Sequence, residues 1–304
     1  LARLILDYED WEHALDEERW NISTKRVLIT GATNGIGLAA AIELARRGSS
    51  LILTARSEER AESVVARLRE IAPQVSVEFL YSDLSLMADV DALASSVIER
   101  FGALDVLINN AGAIFKSRRE TLEGFEQTWA LNHLCPFLLT ARLRVLLEAA
   151  PSARVITTSS GAHHFGALDL NDLDAKKRYR PFGRYGQTKL ANILFTSELA
   201  RRLDGTEVAA YCYHPGLVAT GFNKNNGPAA RAVSTLTGMF SRTPARGAQT
   251  MVWLASEPTT PLPRGGYFVD EKPRTPSVAA RDQALARHIW EVTSEQLRPW
   301  LSPS

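Results

Sequence analysis

Residues 27–37 read Val27-Leu28-Ile29-Thr30-Gly31-Ala32-Thr33-Asn34-Gly35-Ile36-Gly37, an apolar run that breaks into glycines before an amphipathic stretch near residues 36–47. The run is short and continuous, as in a strand buried on both faces. The glycines permit a tight turn and a close backbone approach to a ligand. The helix that follows offers free N–H groups and the positive end of its dipole to an anion. Strand, glycine turn and helix in this order predict a pyrophosphate site, against the alternative of a plain tight turn.

Outward from this stretch the same alternation continues. Further strands are predicted at Ser50–Ala55, Val75–Tyr81, Leu104–Asn109, Arg154–Ser159, Val208–Tyr213 and Gly266–Val269, the first being Val27–Thr30. Helices are predicted near 36–47, 58–71, 86–101, 123–149, 185–203 and 245–256, which supply the crossovers that parallel strands require. The expected fold is α/β, a Rossmann-type doubly wound sheet of seven parallel strands with helices on both faces, in a single domain over residues 25–275. Residues 1–24, with Trp11, Leu15 and Trp20 among acids, read as an amphipathic helical extension, and residues 276–304 as a C-terminal helical one. Residues 161–184 and 220–244 are long for connections in a compact domain, and long loops tend to carry function.

Composition narrows the function classes. The chain has 304 residues, 45% hydrophobic and 23% charged, and a formal charge of +1, so no broad electrostatic reason for a nucleic-acid partner exists. No stretch approaches the roughly 18 consecutive apolar residues of a membrane span. Leu1 to Leu6 are followed at once by Asp7, Glu9 and Asp10, unlike a signal peptide. Cys135 and Cys212 are the only cysteines, too few for a disulfide framework and not clustered as in a metal site. No metal is expected. A reducing compartment, the cytoplasm, is.

The glycine spacing, Gly31-x-x-x-Gly35-x-Gly37 after Thr30, resembles the TGxxxGxG of the classical short-chain dehydrogenase/reductase superfamily. Asn109-Asn110-Ala111-Gly112 matches its NNAG, Tyr185-Gly186-Gln187-Thr188-Lys189 its YxxxK, and His214-Pro215-Gly216-Leu217-Val218-Ala219-Thr220 its PG motif. The motifs stand in the family's order. Within the superfamily the chain is most similar to the retinol dehydrogenase-like branch, through Ala162-His163-His164, Lys177-Arg178-Tyr179, Lys189 to Phe195 and Glu198 to Leu203.

The resemblance implies a nicotinamide cofactor. Gly31, Thr33, Asn34, Gly35, Ile36 and Gly37 would cradle its pyrophosphate. Asp83 and Leu84 would meet the adenine, Asn110, Ala111 and Gly112 would line the adenosine, and Pro215, Gly216, Val218 and Thr220 would border the nicotinamide. In a doubly wound fold the end of the second strand lies beside the adenosine ribose, where a carboxylate selects NAD. Here that end reads Leu53-Thr54-Ala55-Arg56. Arg56 could pair bidentately with a 2′-phosphate, so NADP(H) is expected, against the alternative of a solvated arginine.

Reduction of a carbonyl by hydride leaves an oxyanion that needs a proton. Tyr185 and Lys189 share a helix face, and the ammonium is expected to lower a phenol whose ordinary pKa is about 10. The resemblance makes Tyr185 the acid and Lys189 the group that tunes it and holds the ribose. Ser160, preferred over Ser159, orients the substrate oxygen. Asn132, through its main-chain carbonyl, completes a proton relay. Pro136, four residues on, has no N–H for that carbonyl and is expected to kink the helix.

The substrate side is read from His163, His164, Phe222, Met239 and Phe240, although loop packing is the competing reading for the histidines. Residues 222–242 are expected to form an apolar lid, and a permanently packed helix is the alternative. The function so implied is NADPH-dependent reduction of a lipophilic ketone or aldehyde to the alcohol, or the reverse. The alternatives are C=C reduction and a non-catalytic NADP(H)-binding regulatory role. A homodimer or homotetramer is open.

Overall fold

The computed structural model describes residues 20–218 and 242–301. Among them lie strands β1 (Arg26–Ile29), β2 (Ser50–Ala55), β3 (Val77–Tyr81), β4 (Val106–Asn109), β5 (Ala153–Thr158), β6 (Val208–Tyr213), β7 (Tyr267–Val269) and β8 (Lys272–Pro273). They form one sheet of order β3-β2-β1-β4-β5-β6-β7-β8. All pairs are parallel except β7 with β8. The eighth strand departs from the expected seven. It is two residues long and follows a turn at Asp270 and Glu271, both at positive φ, so it carries no periodicity to read.

The helices are α1 (Gly35–Arg46), α2 (Glu58–Ile71), α3 (Met87–Arg100), α4 over residues 127–149, α5 (Pro181–Arg202), α6 (Pro244–Ser256), α7 (Gln283–Gln296) and α8 (Arg298–Leu301). Strands β1 to β7 feed both faces of the sheet, and the exposed β8 feeds neither. Leu28, Ile52, Leu107 and Val155 enter the core beneath α3, α4 and α5. Val27, Ile29, Leu51, Leu53, Val106, Ile108 and Ile156 enter the one beneath α1, α2 and α6. A strand buried on both faces must be apolar throughout, which is why these read as continuous runs.

Most element ends shift by one or two residues, and three differences go further. Helix α4 starts at Gln127 rather than near 123, because Glu126 caps it, accepting from Thr128 N at 2.8 Å and Trp129 N at 2.9 Å. Helix α5 starts four residues before Tyr185, with Pro181 in its first turn, so the loop expected at 161–184 ends at Arg180. Trp20 and Ile22, assigned to the N-terminal extension, belong to the core. Trp20 donates from Nε1 to Ala255 O at 3.1 Å and lies against the Arg154 guanidinium, 4.0 Å from its ring centroid. The expected helix around Trp11 and Leu15 lies outside the described residues.

Helix α4 is long and apolar enough, by length and composition, to cross a membrane, yet 72% of its apolar window is buried inside the fold. It is a core helix. Just before Pro136 it carries a π turn at Ala130–Leu134, where Cys135 N donates to Ala130 O, five residues back. One extra residue per turn accommodates Pro136, which cannot donate.

Candidate active site

The chain runs outward from β1 to β3 and then returns to β4, so the loops after β1 and β4 part at the switch point of the sheet. They are bound to each other there. Asn110 N and Ala111 N both donate to Thr30 Oγ1 at 3.0 Å, and Asn110 Nδ2 donates to Thr30 O at 2.9 Å. A Cβ on Gly37 would collide with the Gly31 carbonyl oxygen and lie 2.6 Å from Asn110 Nδ2, so only glycine lets these loops close. Gly31 and Gly35 sit at φ +68° and +57°.

A cleft of about 510 Å³ opens over this switch point. Gly31, Thr33, Asn34, Gly35, Ile36, Gly37, Arg56, Asp83, Leu84, Asn110, Ala111, Gly112, Ser160, Tyr185, Lys189, Pro215, Gly216 and Val218 all line it. Thr220, Phe222, Met239 and Phe240 lie outside the described residues, as does nearly all of the expected lid. At the glycine end, Asn34 is the N-cap of α1 but makes no side-chain capping bond. The first-turn N–H groups are thus free to meet an anion from the cleft, and the donor set fits a dinucleotide pyrophosphate. Arg60, one turn along α2, joins Arg56 at the cleft wall and was not anticipated.

At the other end stand the candidate catalytic groups. Ser160 Oγ accepts from Ala162 N at 3.2 Å and shares the cleft lining with Tyr185. Ser159 is otherwise engaged, its buried hydroxyl donating to Lys189 O at 2.8 Å. Lys189 Nζ donates to Thr158 O at 2.9 Å and lies 5.4 Å from the Tyr185 ring centroid. Asn132 joins this group by its side chain, whose Oδ1 accepts from Ala113 N at 2.9 Å while Nδ2 donates to Ala113 O at 3.0 Å and to Thr188 Oγ1 at 3.1 Å. It thereby ties the β4 loop to α5, one residue from Lys189.

The electrostatics depart from expectation. Desolvation pushes Tyr185 up to about 12, with only the Ser160 hydrogen bond acting against it. The same desolvation lowers Lys189 to about 8. Burial disfavours both charged forms, so proximity to the ammonium does not by itself produce an acidic tyrosine.

His163 and His164 do not line the cleft. His163 is buried, with Nδ1 donating to Ser160 O at 2.8 Å and Nε2 accepting from Ser277 N at 3.2 Å. Both nitrogens are used in joining loops, and His164 stacks on its ring at 4.0 Å. The histidine that sequence reasoning passed over is His214, within the PG motif. Its Nδ1 accepts from Gly161 N at 3.2 Å and Gly216 N at 3.3 Å, holding the β5 and β6 loops together, and burial lowers it to about 4. Ile114, Phe115, Leu131, Phe182 and Leu217 supply an apolar wall that motif reading did not select.

Comparison with known sequences decides the family: the model of the short chain dehydrogenases matches residues 25–231. The chain belongs to this family. Short chain dehydrogenases are oxidoreductases that use NAD(P)(H). The chain is 37% identical to human retinol dehydrogenase 14 over 288 residues, covering 88% of this chain and 85% of that protein. It is 35% identical to human polyprenol dehydrogenase over 275 residues, covering 88% and 83% of the two chains. Among solved structures it is similar to L-sorbose reductase from Gluconobacter frateurii, complexed with NADPH and L-sorbose, at 26% identity and a TM-score of 0.64, covering 82% and 96%. This short chain dehydrogenase therefore sits in the retinol dehydrogenase-like branch.

Proposed function

We propose that this protein is an NADP(H)-dependent oxidoreductase that interconverts the carbonyl and alcohol forms of a lipophilic substrate. The observation that carries the reading is that Ser160, Tyr185 and Lys189 line the same cleft as the glycine turn, with Lys189 one helical turn on from Tyr185. Arg56 and Arg60 at the wall beyond β2 favour a 2′-phosphate and hence NADP(H).

The nicotinamide, when bound, gives or takes the hydride, and its positive charge in the oxidised form favours the Tyr185 phenolate. Ser160 Oγ and Tyr185 Oη together hold the substrate oxygen. Tyr185 delivers the proton to that oxygen in reduction and accepts it in oxidation. Lys189 donates to the ribose side of the cleft and feeds protons toward Tyr185, while the Asn132 carbonyl, to which Pro136 cannot donate, serves the relay. Phe115, Leu131, Phe182 and Leu217 exclude water and accept apolar surface, which suits the lipophilic substrates in the names of the relatives.

The test is NADPH consumption by wild type and Tyr185→Phe against hydrophobic aldehydes and ketones, with products identified by mass. Alcohol products that vanish with the substitution are expected. Reduced C=C bonds with the ketone retained would overturn the reading.

A further inference from the structure

A buried hydrogen-bonded chain runs from the C-terminal helix to Lys189. Thr293 Oγ1 lies 3.0 Å from His133 Nε2, His133 Nδ1 lies 3.3 Å from Asn192 Oδ1, and Asn192 Nδ2 lies 3.3 Å from Thr158 O. Thr158 O is also the acceptor for Lys189 Nζ at 2.9 Å. Thr293, His133, Asn192 and Lys189 are at most 2% exposed, so water cannot replace a lost partner at little cost.

Chemistry permits one assignment of the protons. A carbonyl only accepts, so Asn192 must turn its amide nitrogen to Thr158 O and its oxygen to His133. That oxygen only accepts, so His133 carries its proton on Nδ1. Burial keeps the ring neutral, with its pKa lowered to about 3, so Nε2 is bare and Thr293 must be the donor. The bonds from Thr293 to Thr158 O run one way, and Lys189 donates to that carbonyl from the other side.

We propose that His133 is a positioning residue for Lys189, holding Asn192 on the shared Thr158 carbonyl, and that the Thr293 hydroxyl of α7 supplies the donor its bare Nε2 requires. The C-terminal helix thereby acts on the site from outside it. Helix α7 is seated for this by Trp290, stacked on Phe195 of α5 at 5.8 Å, while Gln296, at the far end of the helix, accepts separately from Trp129 Nε1 at 3.1 Å. Two donors divide the lone pairs of Thr158 O. If Asn192 lets go, the ammonium has the carbonyl to itself, its charged form is favoured, and the titration of Lys189 moves upward. The other ionisable groups that bear on Lys189 and His133 are Tyr185 on α5, Cys212 on β6 and Arg184 at the start of α5. None is a member of the chain.

The proposal rests on Tyr185 and Lys189 being the proton-handling pair, but its first readout does not need turnover. The lysine signals of the full chain, with Lys189 assigned by Lys189→Arg, are titrated by NMR in wild type, Thr293→Val, Thr293→Ser and Gln296→Ala. Thr293→Val keeps the shape and removes the donor. It is expected to raise the Lys189 pKa by about half a unit or more and to lower kcat about tenfold with KM little changed, as the loss of one buried hydrogen bond would. Thr293→Ser restores both. Gln296→Ala, which loosens α7 without touching the chain, lowers melting temperature only. An unmoved Lys189 in folded Thr293→Val, or an equal shift in Gln296→Ala, overturns the proposal. Absence of wild-type turnover would instead sink the functional reading and leave the titration to decide.

Discussion

Glu126 and Arg184 pair at 2.7 Å with their side chains 0% and 2% exposed, joining the cap of α4 to the first turn of α5. The carboxylate also accepts from Thr128 N, Thr128 Oγ1 and Trp129 N, and Arg184 donates to Leu173 O in the loop before α5. The pair thus fastens the loop that precedes Tyr185. Because all partners are buried, removing one leaves the other charge without solvent. Glu126→Ala is expected to destabilise the protein by about 3–5 kcal/mol in urea denaturation. A loss under about 1 kcal/mol would contradict this account.

Arg56 and Arg60 border the cleft beyond β2, where a 2′-phosphate would distinguish NADPH from NADH. Charge-assisted hydrogen bonds of this kind are worth about 1.5–3 kcal/mol. Arg56→Ala should weaken NADPH binding by about 10- to 100-fold and leave NADH binding nearly unchanged, as read by cofactor fluorescence titration. Equal weakening of both cofactors would remove Arg56 from that role.

Two adjacent serines have different partners. Ser160 Oγ accepts from Ala162 N on the cleft wall that Tyr185 shares, and Ser159 donates to the Lys189 backbone. Ser160→Ala is therefore expected to lower kcat by about 100-fold with little change in melting temperature. Ser159→Ala should cost about 1 kcal/mol of stability and far less activity. The reverse pattern in paired kinetic and thermal measurements would reassign the substrate-orienting hydroxyl.

His133 and His214 are both held neutral by burial, at about 3 and about 4. Each binds its proton more readily unfolded, near 6.5, than folded, so the unfolded state gains protons first as pH falls. Their contribution is complete above about pH 6.5. It is lost as pH falls toward 4 for His214 and 3 for His133, with a slope of up to about 1.4 kcal/mol per pH unit for each. Urea denaturation from pH 7.5 to 4.5 should show this decline. His214→Asn, whose carbonyl oxygen can accept from Gly161 and Gly216, should flatten it, and an unchanged slope would count against His214.

Much of the fold could be read before the structure because its signals are local. The runs of β2 and β6 have the predicted bounds, and each is almost wholly buried. The start of α4 was missed because its cap is Glu126, a residue type common inside helices, whose capping role depends on Arg184 far along the chain. The π turn was missed because Pro136 predicts only that a donor is lacking, and packing decides whether the helix kinks or adds a residue to its turn.

The order of strands and helices, the glycines that must have no Cβ, and the presence of a tyrosine and a lysine on one helix face belong to the sequence by itself, because each depends on residues within a few positions of one another. The tertiary structure alone decided that Ser159 is tied to Lys189 O, that desolvation raises Tyr185 and lowers Lys189, and that His163 joins loops while His133 reaches Thr293. Protonation and hydrogen-bond direction follow from what surrounds a group, and here those surroundings come from segments distant in the chain.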